Sequence, residues 1–253
     1  MPASSTPKNK VDYVLFDMDG LMIDSESIYT VATNEALTKY GDLEMTWDIK
    51  AGCMGKPERE ATTHLLSFFP HANINIDNFI RERTAIQDTL WPTTPLLPGV
   101  KKLVHHLKKC GIPMAVATSS RRRNFEIKTS RLQEVFDCFD GKIVCGDDKQ
   151  YEMAGKPAPD IFLTAASVFL KRNVGSPRDP PTQEQLEERS KGLVFEDALA
   201  GMQSGKRAGM SVVWIPDPNL VKLGTVVEEV PDQVIQSMED FKPEEWGLPP
   251  YDQ

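Results

Sequence analysis

The chain has 253 residues, of which 40% are hydrophobic and 26% charged, an ordinary composition for a soluble globular protein. Its net charge of -8 and pI of about 5.1 argue against a nucleic-acid partner, which would require a basic face. No apolar run approaches the roughly 18 residues that a membrane span needs, so we expect no membrane partner. Four cysteines without metal or redox spacing indicate free thiols and a cytoplasmic location.

The predicted elements begin after a polar segment, residues 1–10, which we interpret as a disordered tail and not as a secretory signal. Short apolar runs predict five buried strands: Val11–Phe16, Pro113–Ala117, Lys142–Cys145, Leu193–Phe195 and Ser211–Ile215. Helical periodicity lies between them: Val100–Lys109, Asp160–Leu170 and Ala198–Ala208. This alternation predicts an α/β fold, a Rossmann-like parallel sheet with helices on both faces.

Residues 25–95 interrupt this alternation, because their pattern is largely helical and contains no convincing strand. We therefore predict a core formed by residues 11–24 and 96–253, with a small helical domain, residues 25–95, inserted after the first strand. A second interruption, Asn173–Lys191, is polar and rich in proline, which predicts an exposed loop.

Carboxylates follow the first and fourth predicted strands of the core. Asp17 and Asp19 come directly after the first strand, and Glu196 and Asp197 end the fourth. Since ligands bind at the carboxyl ends of strands in such sheets, these acids indicate a site for nucleophilic, metal-ligand or general-acid chemistry. Mg²⁺ prefers oxygen ligands, so Asp17 and Asp197 could supply carboxylates and Asp19 its backbone carbonyl. A simpler interpretation of any one of these acids is a loop or cap residue.

A phosphate-binding set is predicted from three other residues. Thr118 and Ser119 follow the second strand, where a hydroxyl and a backbone N–H can bind a phosphate oxygen, although they could equally cap the next helix. Lys156 lies in the proline-stiffened sequence GKPAPD, where a fixed ammonium could neutralise both a phosphate and a carboxylate.

Taken together, Asp17-Met-Asp19-Gly20, Thr118, Lys156-Pro157 and Glu196-Asp197 resemble, in order, the four motifs of the haloacid dehalogenase superfamily. The resemblance implies that Asp17 attacks phosphorus to form an aspartyl-phosphate. It further implies that Asp19 acts as general acid and then general base, that Mg²⁺ is the cofactor, and that the helical insert is a cap domain.

Longer stretches, among them FDMDGLMIDSE, KTSR, GKPAPDIF and LVFEDALAGM, resemble the pseudouridine-5'-phosphatase branch. The best substrate is then pseudouridine 5'-phosphate, with 2-deoxyglucose 6-phosphate, glycerol 3-phosphate and flavin mononucleotide as alternatives, followed by a β-phosphoglucomutase-like mutase. Asp19 argues against a dehalogenase and a phosphonate hydrolase, and the complete motif set argues against a non-catalytic binding module. We expect a monomer that acts on a small phosphate monoester. Candidate specificity residues are Gly55, Lys56, Arg121 and Glu196.

Overall fold

The computed structural model describes residues 10–53, 58–218 and 229–252. The candidate specificity residues Gly55 and Lys56, and nearly all of the predicted tail, lie outside these ranges. By its internal contacts the chain divides into two compact units. The first comprises Met1–Ile23, Leu96–Phe125 and Leu132–Gln253, and the second comprises Asp24–Pro95 and Glu126–Arg131.

The first unit is built on a six-stranded sheet whose strands pair in parallel in the order β3-β2-β1-β4-β5-β6. The strands are β1 (Tyr13–Phe16), β2 (Met114–Thr118), β3 (Ile143–Cys145), β4 (Gly192–Glu196), β5 (Ser211–Trp214) and β6 (Gln233–Val234). The five predicted strands correspond to β1–β5. The two-residue β6 was not predicted, because so short a pair carries no periodicity of its own.

Helices connect the strands. Within the described residues the α-helices are α1 (Ser25–Thr38), α2 (Trp47–Cys53), α3 (Glu58–Ser67), α4 (Ile76–Leu90), α5 (Val100–Lys109), α6 (Arg122–Lys128), α7 (Gln133–Phe136), α8 (Asp160–Thr164), α9 (Gln183–Arg189) and α10 (Leu199–Arg207). A π-helical segment, Ala165–Phe169, continues α8, so the single helix predicted for Asp160–Leu170 changes its hydrogen bonding halfway.

Both faces of the sheet are covered, which explains why its strands are almost continuously apolar. Val14 and Phe16 of β1 pack into one buried cluster, and Tyr13 and Leu15 pack into the other. The ring of Phe16 stacks on Phe195 of β4 at a centroid distance of 5.1 Å. The predicted α/β class with a Rossmann-like parallel sheet is therefore confirmed.

The second unit is helical within its described residues, with α1 packed on α4 and α3 packed on both α2 and α4. Its small core consists of Ala36, Leu37, Met45, Ile49, Leu65 and Phe79. Residues Glu126–Arg131, which the sequence predicted as core, belong to this unit. Among its contacts within this unit, the buried ammonium of Lys128 lies 4.3 Å from the centre of the Trp91 ring and 5.2 Å from that of Tyr29.

The segment predicted as an exposed loop, Asn173–Lys191, contains helix α9, so that prediction was wrong for its second half. Thr182 and Gln185 form a capping box, in which each side chain accepts a hydrogen bond from the other's backbone N–H. At the far end of the helix, the buried Arg189 donates from Nε to the carbonyl of Val174 at 2.7 Å. The sequence analysis weighed only the polar, proline-rich composition of the segment, which is typical of loops, and so did not predict the helix.

No helix in the described part of the chain combines the length and the apolar character that crossing a bilayer would require.

The capping box is expected to hold α9 in place. Replacing Thr182 with Ala leaves a backbone N–H of the first turn without its side-chain acceptor, so we expect Thr182→Ala to lower the free energy of unfolding by about 1 kcal/mol. Gln183→Ala, at the next exposed position, is the control and should change it far less. Urea unfolding monitored by circular dichroism measures both, and equal effects of the two variants would contradict a capping role.

Candidate active site

The carboxyl ends of three neighbouring strands bring the candidate residues together. Asp17 follows β1, Thr118 ends β2, and Glu196 ends β4. The N–H of Asp17 still pairs with the carbonyl of Phe195 at 3.1 Å, so the sheet fixes the backbone at the point where the acid emerges. These three residues therefore lie at the same end of the sheet in the first unit.

A buried ammonium lies at the centre of this edge. Nζ of Lys156 forms an ion pair with Oδ1 of Asp17 and a second one with Oε1 of Glu196 at 2.5 Å. It also donates to the carbonyl of Ala117 at 3.2 Å. Only 8% of the Lys156 side chain is exposed, and the corresponding fractions are 8% for Asp17 and 1% for Glu196. The charges are therefore close together and almost dry.

Burial and the neighbouring charges shift the pKa of Asp17 and that of Lys156, with a different balance at each residue. It raises the pKa of Asp17 to about 7, against the lowering effect of the Lys156 ammonium. Burial alone would lower the pKa of Lys156, but the carboxylates of Asp17 and Glu196 together raise it above its ordinary value. Lys156 is consequently a fixed positive charge, and the ionised form of Asp17 depends on positive charge beside it.

Glu196 is held from three sides. Its Oε2 accepts hydrogen bonds from the backbone N–H groups of Asp197 and Ala198, each at 3.1 Å, while Oε1 pairs with Lys156. Its carboxylate packs where a side chain at Gly201 of α10 would otherwise lie. This fully buried placement does not suit the predicted specificity role, because a residue that selects substrates must face them. It indicates a role in positioning Lys156.

A group of three carboxylates could hold a cation. Oxygen atoms of Asp17, Glu196 and Asp197 lie within 4.8 Å of one another. Gly20 leaves space for Asp197, since a Cβ at this position, where φ is +81°, would overlap its carboxylate. An all-oxygen donor set with excess negative charge fits a hard divalent cation such as Mg²⁺. The predicted ligands Asp17 and Asp197 belong to this group, and Glu196 joins them.

Two hydroxyl groups donate hydrogen bonds to Asp19. Its Oδ2 accepts a hydrogen bond from Oγ of Ser120 at 2.7 Å and another from Oγ1 of Thr118 at 3.3 Å. Ser119, predicted as a phosphate ligand, has an exposed side chain, whereas Thr118 is fully buried. The sequence analysis missed Ser120. The three consecutive hydroxyl residues Thr118, Ser119 and Ser120 indicated a polar loop at the end of β2. The sequence does not show which of the three side chains points toward Asp19.

The arginine run after this loop divides into different roles. Arg121 is exposed, which is compatible with its predicted contact to an anionic substrate. Arg122 instead forms an ion pair with Asp148 at 2.6 Å and donates to the carbonyl of Ile143 at 2.9 Å. Its backbone N–H donates to Asp147 at 2.7 Å. Arg122 thereby ties the start of α6 to the end of β3.

Comparisons with known proteins identify the family and support the fold. A family model for haloacid dehalogenase-like hydrolases matches residues 14–215. The chain therefore belongs to the haloacid dehalogenase-like hydrolases, which confirms the family predicted from the sequence. A crystal structure of a haloacid dehalogenase hydrolase, family IA, variant 3, from Entamoeba histolytica superposes with a TM-score of 0.70 at 24% identity. It covers 94% of this chain and 98% of that one and supports the fold.

Two curated relatives carry more specific names. The (DL)-glycerol-3-phosphatase 2 of Arabidopsis thaliana is 38% identical, over 99% of this chain and 98% of that protein. The probable pseudouridine-5'-phosphatase of Drosophila melanogaster is 37% identical, over 96% of each. Both names are those of phosphatases, in agreement with the predicted enzyme class, a phosphoric monoester hydrolase.

The close approach of Gly201 to Glu196 gives a first prediction for this site. Alanine inside a helix normally stabilises it by up to about 1 kcal/mol over glycine. In Gly201→Ala, however, the added methyl group displaces the Glu196 carboxylate, and we expect the free energy of unfolding to fall by about 1–3 kcal/mol. Gly155→Ala is the matched control, because a Cβ there meets open space. A Gly201→Ala protein as stable as the control would contradict the tight packing.

Removing the ammonium of Lys156 should destabilise the protein, and the size of the effect should depend on pH. Lys156→Met leaves Asp17 and Glu196 buried side by side, and we expect a loss of roughly 3–5 kcal/mol in metal-free buffer near pH 8. The pKa of Asp17 is already raised by burial, so the folded chain retains a proton that the unfolded chain loses above about pH 4. The contribution of Asp17 to stability therefore falls as the pH rises from about 4 to about 7. Without Lys156, which lowers it, the pKa of Asp17 rises further.

The loss in Lys156→Met should therefore be smaller at pH 5 than at pH 8. Thermal unfolding at the two pH values measures this difference. Lys101→Met removes one partner of a surface ion pair, Lys101 with Glu134 at 2.6 Å, and should have little effect at either pH. A loss in Lys156→Met that is independent of pH would contradict the electrostatic explanation.

Proposed function

We propose that the protein is a Mg²⁺-dependent phosphomonoesterase that works through an aspartyl-phosphate intermediate. The observation that carries this proposal is the group formed by Asp17, Lys156, Glu196 and Asp197 at the carboxyl ends of β1 and β4. It combines a buried carboxylate, a fixed ammonium and three carboxylates close enough together to hold a cation, all within the first unit. Family membership makes this chemistry the natural use of such a group.

Asp17 is the proposed nucleophile. One of its carboxylate oxygens attacks phosphorus while the bond from phosphorus to the ester oxygen breaks, and the phosphoryl group is transferred to Asp17. Because burial raises its pKa, Asp17 needs neighbouring positive charge to remain ionised. Lys156 supplies part of that charge. A Mg²⁺ ion bound by Asp17, Asp197 and the backbone carbonyl of Asp19 would neutralise further charge on the carboxylates and on the phosphoryl oxygens.

The phosphoryl group is proposed to be bound by the Thr118 hydroxyl, the backbone N–H of Ser119 and the Lys156 ammonium. Thr118 ends β2 and Ser119 follows it, and the Lys156 ammonium is held by its ion pair with Glu196. The three donors are therefore fixed before substrate arrives. Preorganised donors stabilise the charge that builds up on the equatorial oxygens during transfer.

Asp19 is the proposed general acid and base. It gives its proton to the departing alcohol oxygen, and its carboxylate then accepts a proton from the water that attacks the aspartyl-phosphate. Asp19 lies only two residues from Asp17 in the segment that follows β1, and it is half-buried.

The substrate is proposed to be a small phosphorylated nucleoside or polyol. Pseudouridine 5'-phosphate remains the first candidate, on the motifs of the sequence. Glycerol 3-phosphate is a strong second, because the relative bearing that name is as similar as the pseudouridine-5'-phosphatase relative, 38% against 37%. Gly55, Lys56 and Arg121 are kept as candidate specificity residues. A monomeric state and a cytoplasmic location stay predictions.

The test is phosphate release from pseudouridine 5'-phosphate, glycerol 3-phosphate, flavin mononucleotide and 2-deoxyglucose 6-phosphate in the presence of Mg²⁺. We expect Asp17→Asn to lower kcat/KM by at least about 1,000-fold, because the amide is not a nucleophile. Asp179→Asn changes an exposed aspartate in the segment before α9, away from the strand ends that carry the site, and should retain activity. Chelation should abolish turnover, and added Mg²⁺ should restore it.

Two outcomes would count against the proposal. Full activity in chelator would remove the metal from the mechanism, and an active Asp17→Asn enzyme would remove the aspartyl-phosphate. A preference of 100-fold or more for one ester, worth about 2.7 kcal/mol of transition-state discrimination, would identify the substrate class.

A further inference from the structure

We propose that Ser120 is a positioning residue for Asp19, holding one oxygen of this carboxylate so that the other faces the leaving group throughout the reaction. This inference rests on the proposed function, because it assigns Asp19 the role of general acid and base. Ser120 lies outside the residues that the sequence motifs identify.

The geometry places two hydroxyl groups on the same carboxylate oxygen. Ser120 donates to Oδ2 of Asp19 at 2.7 Å and Thr118 donates to the same atom at 3.3 Å. The Ser120 distance lies within the normal range for a hydrogen bond between two oxygen atoms and the Thr118 distance lies beyond it, so Ser120 makes the stronger of the two contacts. Both approach from the Oδ2 side, which fixes the rotation of the carboxylate.

The two hydroxyls cannot both remain on Asp19 when substrate is bound. A hydroxyl has a single proton to donate, and the proposed function uses that of Thr118 for a phosphoryl oxygen. Once Thr118 turns to the phosphate, Ser120 is the hydroxyl that still holds Oδ2 of Asp19. The shorter bond is therefore the one that persists during the chemistry.

The backbone of Ser120 is itself held firmly. Its N–H donates to Oγ1 of Thr118 at 3.0 Å, and its carbonyl accepts from the N–H of Gly146 at 3.0 Å. Gly146 allows the loops after β2 and β3 to approach, since a Cβ there would lie 2.5 Å from the carbonyl oxygen of Ser119. Replacing Ser120 with Ala keeps these backbone contacts and removes only the hydroxyl.

The position of Asp19 matters most when the leaving group is a poor one. An alkoxide must be protonated as its bond to phosphorus breaks, and the proton comes from Asp19. A nitrophenolate is stable without that proton. Since kcat/KM reports the steps up to loss of the leaving group, a misplaced general acid lowers this ratio for alkyl esters and spares it for aryl esters.

The experiment compares the best alkyl ester of the panel above with p-nitrophenyl phosphate. We expect Ser120→Ala to lower kcat/KM by about 30-fold or more for the alkyl ester, and by no more than about 3-fold for the aryl ester. Ser120→Thr, which keeps a hydroxyl, should restore the alkyl ester to within about 3-fold of wild type. Ser190→Ala, a substitution after α9, is the control for a generic serine change.

Two results overturn the inference. Unchanged kinetics in Ser120→Ala, or an equal loss on both esters at any melting temperature, would show that the hydroxyl does not position the general acid. If Ser120→Ala does not fold, Ser120→Cys provides the same comparison with a weaker donor of similar size. Failure of the inference with an inactive Asp17→Asn leaves the proposed function standing, whereas a wild type inactive on every ester overturns both.

Discussion

The buried contact of Lys156 with Asp17 and Glu196 is the interaction on which the rest of the site depends. Two buried carboxylates this close repel each other, and burial raises the pKa of Asp17. The ammonium between them opposes both effects, and its raised pKa keeps it charged at every physiological pH. Because Asp197 adds a third carboxylate, the group retains negative charge even with Lys156 in place, and that residual charge suits a divalent cation.

The topology of the sheet brings these charges together. From β1 the chain passes to β2 and β3 on one side and then returns to β4 on the other, so the direction of winding reverses beside β1. At such a reversal the connections leave the sheet in opposite directions and open a crevice at the carboxyl ends of the strands. Asp17, Thr118 and Glu196 all stand at that edge, which explains how residues about 100 and 180 positions apart share one site.

The sequence predicts which residues lie at the strand ends, but not where their side chains point. Asp17, Thr118 and Asp197 could be found because apolar runs predict where buried strands end, and in such sheets ligands bind at the carboxyl ends of the strands. The direction of a side chain beyond the strand depends on tertiary contacts that no periodicity encodes. For this reason Ser120 was missed, and Glu196 was predicted to face substrate although it turns inward to Lys156 and the N–H groups of Asp197 and Ala198.

Helix α9 shows the same limit at the level of the fold. Its segment has the composition of a loop, yet Thr182 and Gln185 satisfy the first turn and Arg189 anchors the last. A short helix fixed by its ends leaves little trace in average polarity. The capping pattern was nevertheless legible, since a threonine followed three positions later by glutamine is a known start signal.

The division between chemistry and specificity follows from these observations. In the proposed function, the Lys156 ion pair, the carboxylate group and the hydroxyls on Asp19 act on a phosphoryl group and on the oxygen that leaves it. None of them identifies the remainder of the ester. Relatives named for different substrates are equally similar to the chain, at 38% and 37%. Overall similarity therefore cannot select the substrate. A small number of side chains outside this group must do so, and they can change without disturbing the buried charges on which the fold of the site depends.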